Sequence, residues 1–264
     1  MLDSLAAWMV AGVHVDPMPA TDASPELWLV DLDDCAEAVE EIERRQPRLA
    51  QDDIERAGVI LDLRERRHRL AVYTALRILL ERAAGPSVRA LPFTRKPGTK
   101  PRLEDCPADF SLSHTGGFAL IGVAKAPPVG VDLEAPRTVQ MVPHRMSEII
   151  ALGSTLGDKP LTDESTDRGF LQAWARLEAF SKARGCGLAQ TLAELGARGS
   201  PMRRPASAVL RANAQRLVLE TGLTVQDIQL PHGLVGALAS ALGPHPLQLR
   251  QFPAGRQAIE QLIG

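Results

Sequence analysis

Three carboxylates in the second half of the sequence have the residue type and spacing of a site for a hard metal ion. Asp132 and Glu134 lie two residues apart in Val129-Gly-Val-Asp-Leu-Glu134, and Glu178 follows in a helical segment. Carboxylate oxygens without accompanying cysteine suit magnesium, which keeps several water ligands and is often completed by phosphate oxygens of a substrate. This set of side chains therefore favours Mg²⁺ as the bound ion.

Basic side chains that suit phosphate groups occur in several segments of the same sequence. They are Arg66, Arg67, Arg69, Lys100, His114 and Lys182. Carboxylates for a metal together with bases for phosphate point to chemistry on a phosphate ester or a diphosphate. A solvated basic helix face is the alternative explanation for the three arginines, because spacing alone does not bring these groups together.

Other kinds of catalytic site fit the sequence less well. Ser113 and His114 are neighbours on a predicted strand and point to opposite faces, so they do not form a nucleophile–base pair with each other. Gly185-Cys-Gly187 follows a helix and lacks a third glycine, so it is no dinucleotide-binding motif. The sequence also contains no phosphate-binding loop of the Walker type.

The two carboxylates of the first motif need a strand to place them together. Residues 129–134 alternate, so Val129, Val131 and Leu133 share one face of the strand. Asp132 and Glu134 then project side by side from the other face, where their like charges repel unless solvent or a cation screens them. An exposed edge strand with a polar face is the alternative.

Glu178 needs a helix, which we predict between Arg168 and Arg184. An apolar stripe runs along this segment, and Glu178 and Lys182 lie at i and i+4 on its flank. The helix is expected to end at Gly185, since glycine readily adopts the left-handed conformation of a helix cap. Glu178 then looks into a cleft, with an ordinary surface ion pair to Lys182 as the alternative.

Further elements follow from periodicity and turn residues. Residues 61–84 have the spacing of an amphipathic helix, and residues 110–114 and 118–124 that of a β-hairpin. The segment 93–103 is expected to be an exposed basic loop because two prolines interrupt it. Residues 209–219 and 234–242 are consistent with strands or a helix. Pro127-Pro128 is the best candidate for a junction between two halves.

Composition limits the classes of function. The chain has 264 residues, a formal net charge of −2, 45% apolar residues and 4% aromatic residues. This charge balance and the few aromatic rings argue against nucleic-acid binding. Cys35, Cys106 and Cys186 lie far apart, so we expect neither a disulfide framework nor a zinc site. With no predicted membrane span, a cytoplasmic protein that acts away from membranes is expected.

Three ordered motifs resemble the signature blocks of the 4′-phosphopantetheinyl transferases, in particular the longer single-chain type of the surfactin-synthetase activator. The motifs are Phe110-Ser-Leu-Ser-His-Thr-Gly116, Val129-Gly-Val-Asp-Leu-Glu134, and Trp174-Ala-Arg-Leu-Glu-Ala-Phe-Ser-Lys182 with Gly185-Cys-Gly-Leu188. The resemblance implies an α+β fold of two similar α/β halves with pseudo-twofold symmetry and an active site in the cleft between them. Residues 1–127 would form the N-terminal half and residues 128–264 the C-terminal half.

The resemblance also implies a reaction. Such an enzyme, a holo-[carrier protein] synthase, transfers the 4′-phosphopantetheine arm of coenzyme A to a serine of an apo acyl or peptidyl carrier protein. The other product is 3′,5′-ADP, and the reaction depends on Mg²⁺. The carrier's pathway, whether fatty acid biosynthesis or secondary metabolism such as polyketide or nonribosomal peptide synthesis, is left open. Two halves in one chain make a monomer sufficient.

Residue roles carry over motif by motif. Asp132, Glu134 and Glu178 match the metal ligands, and Lys182 matches a lysine near the diphosphate. Ser113 and His114 belong to the motif that contacts coenzyme A phosphate. Arg69 matches a nucleotide-side arginine, and Lys100 matches a lysine that faces the 3′-phosphate. Glu178, Lys182 and His114 are thus the candidate catalytic residues, with Glu178, or a water that it orients, taking the proton of the carrier serine.

The sequence departs from the family pattern at two positions. Leu177 stands where many members have lysine, and Thr99 replaces the glycine before Lys100. The first departure is expected to weaken a phosphate contact or alter proton transfer, and the second to reshape a loop. Two alternatives stay open: a Mg²⁺-dependent phosphohydrolase of a coenzyme A-like diphosphate, and a non-catalytic module that binds coenzyme A or a carrier protein.

Overall fold

The structure of the protein is a computed structural model that describes residues 24–125, 128–197 and 206–263. These residues contain seven strands in two sheets and eight α-helices. The strands are β1 (Glu26–Asp31), β2 (Asp109–Thr115), β3 (Phe118–Ala124), β4 (Val129–Glu134), β5 (Thr224–Ile228), β6 (Val235–Ser240) and β7 (Leu249–Gln251). The helices are α1 (Leu32–Arg45), α2 (Gln51–Gly58), α3 (Leu63–Ala84), α4 (Pro143–Leu156), α5 (Asp167–Ala183), α6 (Leu188–Glu194), α7 (Ser207–Thr221) and α8 (Arg256–Ile263).

The first sheet has the strand order β2-β3-β1-β7 and the second has the order β4-β6-β5. All neighbouring pairs are antiparallel except β1 and β7. The predicted hairpin is confirmed as β2 and β3, and the predicted strand 129–134 is β4. Residues 209–219 lie in helix α7, whereas residues 234–242 contain strand β6. The mixed α/β class is therefore confirmed.

Alternation along the strands creates three layers of apolar packing. Trp28 and Val30 of β1 pack towards α1 and α3, whereas Leu27 and Leu29 pack on the second sheet. Successive strand residues point to opposite faces, so both faces of this central strand are buried. A third core lies between the second sheet and the helices α4, α5 and α7. The two sheets thus pack against each other with helices on the outside.

The end of the chain returns to the first sheet. Strand β7 pairs with β1, and Phe252 and Ile259 pack in the core between the first sheet and its helices. Strands β1 to β3 precede residues 127 and 128 and β4 to β6 follow them, and the division of the chain into two halves there stays a prediction. Pro127 of the predicted junction lies outside the described residues.

Helix termini define the two long helices that reach the site. The Asp62 side chain caps α3 by accepting a hydrogen bond from the Glu65 amide, and the Thr166 hydroxyl caps α5 by accepting one from the Gly169 amide. Helix α5 ends at Ala183, and Gly185, two residues later, has a φ of 72° in the left-handed region. Both predicted helices are therefore confirmed within two residues.

Candidate active site

The carboxylates of β4 face helix α5. Val129, Val131 and Leu133 pack between the two sheets, so Asp132 and Glu134 project from the opposite face. Asp132 is only 5% exposed, and the alternative of an exposed polar face is therefore wrong. The close approach depends on Gly130, because a Cβ atom there would lie 2.0 Å from the carbonyl oxygen of Ala179 on α5.

Asp132 is held through one of its two oxygens. The Ser113 hydroxyl donates a hydrogen bond to Oδ1 over 2.8 Å, and Lys182 Nζ donates to the same oxygen over 2.7 Å. Asp132 Oδ2 is buried and has no hydrogen-bond partner among the described residues. Lys182 therefore pairs with Asp132 on β4, and the alternative of an ordinary surface ion pair with Glu178 is wrong.

Glu134 and Glu178 are electrostatically linked to Asp132. Burial raises the pKa of Glu134, and the negative charge of Asp132 raises it further, against a hydrogen bond from Arg137. Burial also raises the pKa of Glu178. The positive charge of Lys182 lowers this pKa, and the negative charges of Asp132 and Glu134 raise it further. The structure thus brings the three predicted carboxylates close enough for their charges to interact.

The metal prediction fits the donor chemistry of this group. Within residues 24–125, 128–197 and 206–263, no three His, Cys, Asp or Glu side chains converge into a ready metal cluster. In this structure Lys182 forms an ion pair with Asp132. However, a buried carboxylate oxygen without a partner is costly, and a hard cation would satisfy it. Asp132, Glu134 and Glu178 therefore remain the predicted Mg²⁺ ligands.

A cavity of about 660 Å³ opens beside these carboxylates. It lies between α3, the loop of residues 93–101, β2 and the end of α5, and Glu178 and Lys182 form one wall. Positive side chains dominate its polar lining: Arg56, Arg69, Arg95, Lys96, Lys100 and Lys182. Tyr73, Leu76 and Phe110 supply an apolar wall. The cavity therefore suits a ligand that combines several negative charges with apolar groups.

Arg69 lines the cavity, and its role as a nucleotide-side arginine stays a prediction. Its Nη1 donates a long hydrogen bond of 3.4 Å to the Tyr73 hydroxyl, and its Nε is buried without a partner among the described residues. Arg66 and Arg67 do not line the cavity. Arg66 instead donates to the carbonyl of Ile60, and Arg67 pairs with Glu40.

His114 also lines the cavity, and its side chain reaches solvent. Partial loss of hydration lowers the pKa of its imidazole, and the positive charge of Arg69 lowers it further. Lys182 and His68 act in the same direction, against the opposing charge of Glu65. A pKa below the ordinary value of about 6.5 keeps most of this imidazole neutral at pH 7.

Lys100 occupies a different environment from the exposed loop predicted for it. It is 8% exposed, and the loop closes through backbone hydrogen bonds between Thr94 and Arg102. Its Nζ donates to both carboxylate oxygens of Asp109 and to the carbonyl of Val129. These three partners use all three donors of the ammonium group. The prediction that this loop is exposed is thus wrong at Lys100. To bind a phosphate group, Lys100 would have to give up its contact with Asp109 or with Val129.

Sequence reasoning missed three cavity residues: Arg56, Arg95 and Lys96. Arg95 donates to Asp53 Oδ1 over 2.9 Å, and its Nη1 is buried without a partner among the described residues. Arg95 and Lys96 belong to the predicted basic loop, so the basic composition of this segment could have identified them as candidate phosphate-binding residues. Arg56 lies in an acidic segment and its side chain is exposed, so neither composition nor helical period marks it as a cavity residue.

The two family departures have different surroundings. Leu177 is fully buried in the core and does not line the cavity, so its expected effect on a phosphate contact or on proton transfer stays a prediction. Thr99 does line the cavity, where its hydroxyl donates to the carbonyl of Lys96 over 3.0 Å. Its backbone forms a β-bridge to Cys186. Thr99 therefore shapes the loop, as expected.

Comparison with known proteins points to the same family as the three motifs. A protein of Synechocystis sp. (strain PCC 6803), named "Putative 4'-phosphopantetheinyl transferase", is 29% identical to this chain over 173 residues. The chain is thus similar to a protein named as a 4′-phosphopantetheinyl transferase. The match covers 62% of this chain and 66% of the Synechocystis protein, just under two thirds of that protein's length. No family model matches the chain.

This similarity confirms the resemblance to the 4′-phosphopantetheinyl transferases that the three motifs indicated. The surfactin-synthetase-activator type stays a prediction. None of the helices in the described parts of the chain has the length and apolar character to cross a bilayer.

Proposed function

We propose that the protein transfers the 4′-phosphopantetheine arm of coenzyme A to a serine of an apo acyl or peptidyl carrier protein, with Mg²⁺ as cofactor. The observation that carries this proposal is the positively lined cavity, one wall of which holds Glu178 and Lys182 next to Asp132. Coenzyme A combines three phosphate groups with less polar adenine and pantetheine parts, and the cavity offers both kinds of lining. The 29% identity to the Synechocystis protein supports the same reaction.

In this reaction the serine oxygen forms a bond to the phosphorus that bears the pantetheine arm. The bond from that phosphorus to 3′,5′-ADP breaks, and its electron pair stays on the 5′-phosphate oxygen of the leaving nucleotide. Glu178 accepts the serine proton, directly or through a water molecule that it orients. Lys182 provides positive charge beside the diphosphate, where negative charge develops.

Asp132, Glu134 and Glu178 would hold the magnesium ion. When bound there, Mg²⁺ supplies positive charge that offsets the charge of the diphosphate. Arg56, Arg69, Arg95 and Lys96 would bind the remaining phosphate groups, and neutral His114 would donate a hydrogen bond to one of them. We also propose that the two halves are related by a pseudo-twofold axis, that the protein acts in the cytoplasm, and that a monomer suffices.

Intact-mass spectrometry of an apo carrier protein tests this function. The carrier is incubated with the protein, coenzyme A and Mg²⁺, and the expected result is a mass gain equal to the phosphopantetheine arm. Glu178→Gln should abolish the gain, whereas Glu220→Gln, a matched change on the exposed side of α7, should retain it.

Other outcomes would contradict the proposal. If acyl and peptidyl carriers all stay unmodified while coenzyme A is cleaved, the protein is a phosphohydrolase. If coenzyme A binds but is neither cleaved nor transferred, the protein is a non-catalytic binding module.

A further inference from the structure

Strands β2 and β4 are outer strands of different sheets, and side chains join them. Alternate residues of β2, namely Asp109, Ser111 and Ser113, share one face because side chains alternate along a strand. The Val129 amide donates to Asp109 Oδ2 over 2.9 Å, and the Val131 amide donates to Ser111 Oγ over 2.9 Å. Two side chains of β2 thus replace the backbone ladder that an edge strand lacks.

The carbonyl groups on the same edge of β4 are satisfied by lysines. Lys100 Nζ donates to the carbonyl of Val129 over 2.9 Å, and Lys182 Nζ donates to that of Val131 over 3.1 Å. Together with the β2 side chains, these contacts set the position of β4 relative to β2. The register therefore places Ser113 next to Asp132.

Asp109 and Ser111 of β2 bind backbone amides of β4, whereas Ser113 binds the side-chain carboxylate of Asp132. Asp132 Oδ1 accepts hydrogen bonds from the Ser113 hydroxyl and from Lys182, while Oδ2 is buried and accepts none from the described residues. Two donors on one oxygen restrict rotation of the carboxylate. They leave the second oxygen free for another positively charged group, and burial makes a free oxygen costly without one.

We propose that Ser113 is a positioning residue that orients Asp132 so that Oδ2 is presented to a divalent cation. This inference rests on the metal site of the proposed function. In it, Ser113 acts by holding the Asp132 carboxylate and not by contacting coenzyme A directly. Hydrogen-bond partners of metal ligands typically change metal affinity by about 10- to 100-fold when they are removed. Ser113→Ala should therefore weaken divalent-cation binding about tenfold or more.

Electron paramagnetic resonance of free Mn²⁺, titrated with the protein in the absence of coenzyme A, measures this affinity directly. Ser113→Thr should bind Mn²⁺ within about threefold of the wild type, because threonine keeps the hydroxyl. Ser111→Ala is the matched control on the same strand face. It leaves the Val131 amide without its acceptor, so it should lower the melting temperature without the loss of Mn²⁺ affinity seen in Ser113→Ala.

Each outcome distinguishes the proposal from its alternatives. Unchanged Mn²⁺ affinity in Ser113→Ala would overturn the positioning role, and so would equal losses in Ser113→Ala and Ser111→Ala. Wild-type protein that binds no Mn²⁺ would overturn the role together with the metal site. Mn²⁺ binding that depends on the Ser113 hydroxyl, in a protein that modifies no carrier, would support the positioning role and contradict only the transferase function.

Discussion

Lys100 Nζ lies 2.7 Å from one carboxylate oxygen of Asp109 and 2.6 Å from the other. The same ammonium group donates to the carbonyl of Val129, so this ion pair connects the loop before β2 with the start of β4. Burial lowers the pKa of Lys100, and the negative charge of Asp109 opposes that effect. The pair therefore links the two sheets at their junction.

Lys100→Met should destabilise the protein more than it changes coenzyme A binding. Removing one partner of a buried ion pair leaves the other charge uncompensated, at a cost of about 3–5 kcal/mol. The melting temperature, measured by differential scanning calorimetry, should fall by roughly 6–20 °C. Lys96→Met is the control, since Lys96 lines the cavity without such a pair. A Lys100→Met protein with wild-type stability and lost coenzyme A affinity would favour the phosphate contact implied by the family resemblance.

The pKa of Glu178 predicts how stability depends on pH. Because burial raises this pKa in the folded state, the folded protein binds the proton more tightly than the unfolded chain does. The stabilising effect of protonation is complete below the unfolded value and is lost as pH rises through the folded value. Metal-free Glu178→Gln, which mimics the neutral form, should thus be more stable than the wild type at pH 7.

Chemical denaturation at several pH values checks this expectation. The difference in unfolding free energy between Glu178→Gln and wild type should shrink as pH falls towards the unfolded pKa. Saturating Mg²⁺ should stabilise the wild type and not the variant, because the proposed site loses a carboxylate ligand. A difference that is independent of pH would mean that Glu178 is not desolvated as the structure indicates.

Leu177→Lys should damage the fold instead of restoring a phosphate contact. Leu177 is fully buried on the core-facing side of α5, so a lysine there must lose its hydration without a partner. We expect a loss of about 3–5 kcal/mol, compared with less than about 1.5 kcal/mol for the volume-conserving control Leu177→Met. Urea denaturation measures both values. A stable Leu177→Lys protein with tighter coenzyme A binding would show that this position can reach the cavity.

Arg56→Ala should weaken coenzyme A binding. Arg56 lines the cavity, and no hydrogen bond or ion pair is found for its guanidinium within the described part of the chain. A charged hydrogen bond contributes about 1.5–3 kcal/mol, so the dissociation constant should rise about tenfold or more. Isothermal titration calorimetry at low and high salt should show a smaller salt dependence in the variant. Arg44→Ala, an exposed change on α1, is the control, and equal affinities of the two variants would exclude Arg56 from the site.

Much of the candidate site could be predicted from the sequence because its signals are local. Period-two alternation placed Asp132 and Glu134 on one face of β4, and helical spacing placed Glu178 and Lys182 on one side of α5. The Gly130 position, flanked by valines, is the local feature that lets α5 approach β4. Motif order then predicted the resemblance that the similarity to the Synechocystis protein confirms.

The surroundings of several residues depended on the tertiary structure alone. The sequence predicts that the basic loop is exposed, yet Lys100 is buried. Its partners Asp109 and Val129 lie 9 and 29 residues away in the sequence. Arg56 reads as part of an acidic helix, yet packing of α2 on α3 turns it towards the cavity. Local sequence patterns determine which face of an element is apolar. The partners of a charged side chain depend on which elements pack together, and long-range packing alone decides that.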